Sequence, residues 1–309
     1  MSLSRKRRLS LVREADASGR TLEIYREIKS ALGVPHVNLL FQAYGAFPRF
    51  LDSMWKALRP AVETRDFFQH ADRLRAEAYT RTHNYFLVPD LCKSIRDIHF
   101  SSGAQHELTD VVELFHYNNP LLLLIIALQL QAFEDGPAHR RSAITGAEHP
   151  VISEKPVQIT EESAPAPTRK IYDDIKRTLG VSFVNTDYQA LARWPDFLSM
   201  YWNAFKPVAS SPLYGESRHA LRESALVLAS DLPNAPQLSV EHMQETGLQD
   251  EEISAAIHIS EEFLDNLSGL LLNVAFAKIA LEGGNKSQVP LRALEQTPAR
   301  YPDHPERAA

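Results

Sequence analysis

Residues Glu23 to Pro60 read EIYREIKSALGVPHVNLLFQAYGAFPRFLDSMWKALRP, and residues Lys170 to Pro207 read KIYDDIKRTLGVSFVNTDYQALARWPDFLSMYWNAFKP. The second stretch repeats the first 147 positions later, with 17 of 38 aligned residues identical. Asn38 aligns with Asn185, Pro48 with Pro195 and Trp55 with Trp202. Two residues beyond the shared asparagine the copies part, with Leu40 in the first and Asp187 in the second. A scaffold that folds with leucine at one position does not require aspartate at its twin. Asp187 is therefore the first candidate for chemistry.

Around this stretch the pattern is helical. Leu22, Tyr25, Ile28 and Leu32 recur at three- and four-residue spacing, and Ile171, Ile175 and Leu179 repeat the stripe, which predicts one amphipathic helix per copy. Gly33 and Gly180 stand where a left-handed residue ends such a helix. Short helices are predicted over 37–46 and 184–193, stopped before Pro48 and Pro195, with Asn38 and Asn185 as their caps. Helices follow over 50–58 and 197–205, then 64–82 and 216–230. A long apolar helix closes each copy, 119–135 and 268–283, now at an offset of 148. Alternating strand patterns do not recur.

These signals predict an all-α chain of two tandem helical repeats, 21–136 and 169–284, packed as a pseudo-twofold dimer with its chains joined. Residues 137–168, rich in Pro, Ala, Ser and Glu, are read as an extended inter-repeat connection over the surface. Residues 285–309 are read as an extended tail.

The formal charge of -6 over 309 residues argues against a nucleic-acid binder, and the basic run Arg5–Arg8 reads as a solvated arm. One cysteine, Cys92, rules out an internal disulfide and a Cys-x-x-Cys pair. No apolar h-region follows the basic run, and Leu121–Leu128 is short of a bilayer span and reads as a buried core helix. A soluble, cytoplasmic protein without a membrane partner is expected. The oligomeric state is open, a homodimer included. The twelve histidines show no metal-ligand spacing, and neither a phosphate-binding glycine loop nor a Gly-x-Ser-x-Gly elbow occurs. No metal or cofactor is expected.

Among polar candidates, Asp187 has a capping reading, since acids favour the first helical turn. Its leucine twin counts against that. Buried against apolar neighbours, its carboxylate would have a raised pKa and could act as a general base towards water. Asn118 and Asn266 are shared between copies and read as caps. Asn119 opposes Leu267, and both a cap and a role in orienting water stand open for it. His116 and Tyr117 are weaker candidates, as such residues commonly serve in cores. The aligned aromatics Trp55 and Trp202 read as core.

The duplicated segments, with Val-Asn-Thr-Asp-Tyr at 184–188, Ala-Arg-Trp-Pro-Asp-Phe at 192–197 and Phe-His-Tyr-Asn-Asn-Pro at 115–120, resemble the DehI family of DL-2-haloacid dehalogenases, the group I enzymes. The resemblance runs from about Thr21 to Gly284. It implies an all-α pseudo-dimer with its site between the halves, and hydrolysis of a carbon–halogen bond alpha to a carboxylate. The family's catalytic aspartate falls on Asp187 and its water-orienting asparagine on Asn119. In that family water attacks C2 directly, with inversion and no ester intermediate. Thr186, Leu39, Leu40, Phe41 and Tyr117 are the expected substrate-binding residues. Thr64 is either a hydroxyl donor to the site or an ordinary N-cap. Where the family carries a glutamate one turn after that threonine, this chain has Phe68. The scaffold is also similar to the AhpD-like group, whose peroxidase chemistry needs the absent Cys-x-x-Cys. Two alternatives remain beside the dehalogenase: another small-acid hydrolase or lyase on this scaffold, and a non-catalytic helical binding protein.

Overall fold

The computed structural model describes residues 10–98, 100–135, 143 and 145–285. The Arg5–Arg8 arm, Gly136, the start of the connection and all but the first residue of the tail lie outside them. The described residues form twelve helices and no strand.

The first copy folds as α1 (Gly19–Leu32), α2 (Leu39–Tyr44), α3 (Pro48–Val62), α4 (Arg65–Tyr85), α5 (Leu91–Asp97) and α6 (Ser102–Asp135). The second gives α7 (Ala166–Leu179), α8 (Thr186–Leu191), α9 (Pro195–Ala209), α10 (Pro212–Ser230), α11 (Val240–Glu245) and α12 (Asp250–Leu281). The bounds of α1 to α3 return 147 residues later in α7 to α9, because the same punctuation is repeated. Gly33 and Gly180 end their helices in the left-handed region, at φ 66° and 71°. Pro48 and Pro195 open α3 and α9 at the first turn, where a missing N–H costs nothing.

Hydrogen bonds recur with the helices. Trp55 donates its indole N–H to Glu27 at 3.0 Å, and Trp202 donates to Asp174 at 2.8 Å. Gln42 donates to Val37 O and Gln189 to Val184 O, both at 2.8 Å. The tryptophans are thus core residues with a satisfied polar edge.

The two long helices differ most from expectation. α6 runs unbroken through Pro120 and α12 begins eighteen residues before the predicted start. A mid-helix proline costs on the order of 3 kcal/mol. Leu121 to Leu128 are all within 1% of full burial, and at about 1.5–3 kcal/mol per large side chain that run outweighs the break. Asn118, Asn119 and Asn266 are therefore mid-helix residues, not caps. By length and composition α6 and α12 could cross a membrane, but 78% and 89% of their apolar windows are buried inside the fold. They pack on each other, and α4 and α10 pack against both and against one another.

Over residues 146–160 the connection is extended, tied down by bonds from Gly146 N and Ala147 N to Glu63 O, and from Ile152 N to Gly33 O. Gly45 closes α2 with ordinary helical φ, yet a Cβ there would stand 2.2 Å from the Tyr25 hydroxyl, which donates to Val12 O at 2.9 Å. Gly45→Ala is expected to destabilise the fold by about 1–3 kcal/mol through overpacking, read as a lower denaturant midpoint at unchanged slope.

Candidate active site

The short helix α8 is held on two sides. At its start Asn185 and Asn266 of α12 exchange amide hydrogen bonds at 3.2 and 3.1 Å, so Asn185 does not cap its own helix. Its twin Asn38 does, accepting from Leu40 N at 3.0 Å. On the other side the Asn119 amide of α6 donates to the Asp187 carboxylate at 2.7 Å. Sequence reasoning had singled out these two residues 68 positions apart, and the fold brings them together.

Both are buried, at 1% and 4% exposure. Burial raises the Asp187 carboxyl to about 6, against the opposing pull of Asn119, of its own backbone N–H and of the Thr186 hydroxyl. Thr186 is thus a direct partner of the carboxylate. The Asn119 carbonyl oxygen has no partner in the protein. A carboxylate poised near neutrality, beside an amide with a spare acceptor, can hold a water and take its proton.

Asp187 opens onto a small cavity of about 10 Å³ in the space open to the centre of a water-sized sphere, room for roughly one water or methyl group. Tyr188, Leu191 and Tyr201 line one side, Asn273 and Ala277 of α12 another, and Val112 and Phe115 of α6 close it. Its polar groups are turned on each other. Asn273 donates to the Tyr188 hydroxyl at 2.9 Å, Tyr214 donates to Asn273 Oδ1 at 2.9 Å, and Tyr201 donates to Asn273 O at 3.0 Å.

Several expected substrate contacts lie elsewhere. Leu40 and Phe41 are fully buried in the first copy, where the Phe41 ring meets Trp55 and Tyr44 edge-on. Leu39 lines a wide cleft with Gln42, Val184 and Gln189. None of the three borders the cavity at Asp187, because it opens on the α8 side and not over α2. Thr64 is the N-cap of α4: its hydroxyl accepts from Phe67 N at 3.3 Å and donates to Ala61 O at 2.7 Å, so no hydrogen is left for a substrate. Tyr117 donates to Leu32 O at 3.0 Å and anchors the end of α1. Phe68 stacks on His149 of the connection at 4.7 Å.

Two further buried residues carry polar side-chain atoms without a partner. His36 is 2% exposed with neither ring nitrogen partnered; burial holds its pKa down to about 4, and its ring meets Phe115 at 5.7 Å. Asn118, next to Asn119, is buried with both amide atoms unpaired. Such groups are what ordered water or a ligand satisfies. The signal for the cavity wall was present: the copy comparison applied to Phe41 and Tyr188, Met54 and Tyr201, or Ile125 and Asn273 finds a polar residue only in the second copy.

Comparison with known proteins finds haloacid dehalogenases. A family model described as halocarboxylic acid dehydrogenase DehI matches residues 35–188. An (R)-2-haloacid dehalogenase of Pseudomonas putida is 29% identical, over 83% of this chain and 87% of its own length. A second, from Rhizobium sp. (strain NHG3), is 27% identical over 74% and 89%. A configuration-inverting 2-haloacid dehalogenase of Alcaligenes xylosoxydans xylosoxydans is 22% identical over 90% and 96%. Among solved structures, the complex of D-2-haloacid dehalogenase with L-LA superposes with a TM-score of 0.85 at 28% identity, over 89% of this chain and 97% of that one.

Proposed function

Because the chain belongs to the DehI family, we propose that it hydrolyses the carbon–halogen bond of small 2-haloalkanoic acids, with Asp187 as the base that activates the attacking water. The observation that carries the assignment is the buried Asn119–Asp187 hydrogen bond beside an apolar cavity. The Asn119 carbonyl oxygen accepts one hydrogen of the water and Asp187 takes the other. The water oxygen forms a bond to C2 as the C2–halogen bond breaks, and the halide leaves with the bonding pair. Attack from the face opposite the halide inverts C2, so an (R)-2-haloacid gives the (S)-2-hydroxy acid. No step calls for a cofactor.

The two copies pack as a pseudo-dimer in this reading. α2 packs on α12 of the other copy, as α8 packs on α6, and the intracopy bonds of Trp55 and Gln42 return in Trp202 and Gln189. Asp187 and Asn119 come from different copies and meet where they touch.

The test is chloride release from 2-chloropropionate, followed by a single turnover in ¹⁸O-water. Label in the hydroxyl of the lactate product is expected. Label in Asp187 would make the aspartate a nucleophile, and no chloride release at all would reject the dehalogenase reading.

A further inference from the structure

The cavity beside Asp187 has a counterpart in the other half of the molecule, and the counterpart is filled. Leu191, Ala277 and Val112 border the cavity. At the aligned positions stand Tyr44, Gln129 and Ser260. These three are fully buried and bonded into one plug: Tyr44 lies 2.7 Å from the Ser260 hydroxyl and donates to Gln129 Oε1 at 3.2 Å, while Gln129 donates to Ser260 at 2.8 Å. Each of the three is replaced at the cavity by a residue that lacks the plug's polar groups, and two of the three, Leu191 and Ala277, are smaller. The aspartate appears only on the unplugged side.

We propose that this unplugged space is the alkyl subsite of the dehalogenase, taking the C3 methyl of a 2-halopropionate and setting the chain-length limit through Leu191, Ala277 and Val112. The inference rests on the proposed dehalogenase activity and adds to it the residues that choose the substrate. A departing halide does not suit this space. An anion needs donors to replace its water, and the hydrogens of Tyr201, Tyr214 and one N–H of Asn273 are committed inside the wall. A halide here would also sit beside the Asp187 carboxylate. A neutral methyl group meets neither objection, and the space holds about one. The Tyr188–Asn273–Tyr214 bonds brace the wall, where the first copy has Phe41, Ile125 and Phe67.

The decisive variant moves the plug across: Val112→Ser, Leu191→Tyr and Ala277→Gln together. It is expected to lose kcat/KM for 2-chloropropionate at least about tenfold more than for chloroacetate, which has no C3 group. Leu191→Ala, which enlarges the space, is expected to shift preference from 2-chloropropionate towards 2-chlorobutyrate. Calorimetry with propionate and acetate gives a readout free of the chemistry: wild type favours propionate, and the plugged variant does not. An unchanged substrate ratio in the triple variant, or a Leu191→Ala enzyme whose preference does not lengthen, overturns the proposal. Wild-type turnover of chloroacetate tests the dehalogenase reading by itself, and the ratios test the subsite.

Discussion

Asp187→Asn is expected to lower chloride release by about 10³-fold or more while making the protein more stable at neutral pH. The first effect follows from removing the proposed general base, a role whose contribution to a rate is typically 10²–10⁴-fold, from a site whose other groups are neutral. The amide keeps the shape, and its carbonyl still accepts from Asn119. Neither the geometry nor the cavity should collapse. The second effect follows from burial. Ionised Asp187 is a charge at 4% exposure, with hydrogen bonds but no cation among the causes of its shift, and replacing it with a neutral isostere removes that desolvation cost. Asp187→Leu, the residue of the first copy, is a second variant with a precedent in the same fold. Loss of activity together with a raised Tm identifies a functional charge held at the expense of stability. Loss of both would mean that Asp187 is chiefly structural, and retained activity would place the base elsewhere.

How much of this was legible depended on the kind of signal. Glycine stops and proline starts are local, so the repeated helices α1 to α3 and α7 to α9 could be read almost residue by residue. Pro120 misled because its local rule was overridden by a buried leucine run, and burial is a property of the assembled core. The same error turned Asn119 into a possible cap, when a mid-helix position lets it face α8. Comparison of copies found Asp187 and Asn119 because acid for leucine and amide for leucine are changes no core demands. It passed over Tyr188, Tyr201 and Tyr214 because tyrosine in place of phenylalanine or methionine looks like ordinary core exchange. Their hydroxyls matter through Asn273, 59 residues or more away in the chain. Leu39, Leu40 and Phe41 were expected to bind substrate under a resemblance that puts the site between the halves, which treats the two copies as equal. The missing plug breaks that equality, and only packing could show which side is open.

The pH profile should carry the same carboxyl in two opposite ways. As a base Asp187 must be ionised, and its pKa is raised to about 6. The value of kcat/KM is therefore expected to be level above about pH 7 and to fall roughly tenfold per unit below 6. The cavity tyrosines Tyr188 and Tyr201 are pushed far above their usual range by burial and stay neutral throughout. For stability the sign reverses. The folded pKa of Asp187 lies above the unfolded value near 3.9, so its protonated form favours the fold, and that contribution is full below about pH 4 and lost as pH rises through 6. Two units correspond to on the order of 3 kcal/mol. His36 and His116 oppose it, because burial holds both near 4; their contribution is full above about 6.5 and lost as pH falls. Wild-type stability alone mixes these effects, whereas the difference between Asp187→Asn and wild type isolates Asp187. The variant's Tm advantage is expected to be largest at pH 7 to 8 and to vanish near pH 4. An advantage independent of pH would mean that the folded and unfolded pKa values of Asp187 are equal, and one that keeps growing above pH 8 would mean that Asp187 stays protonated in the folded protein and cannot be the base at neutral pH.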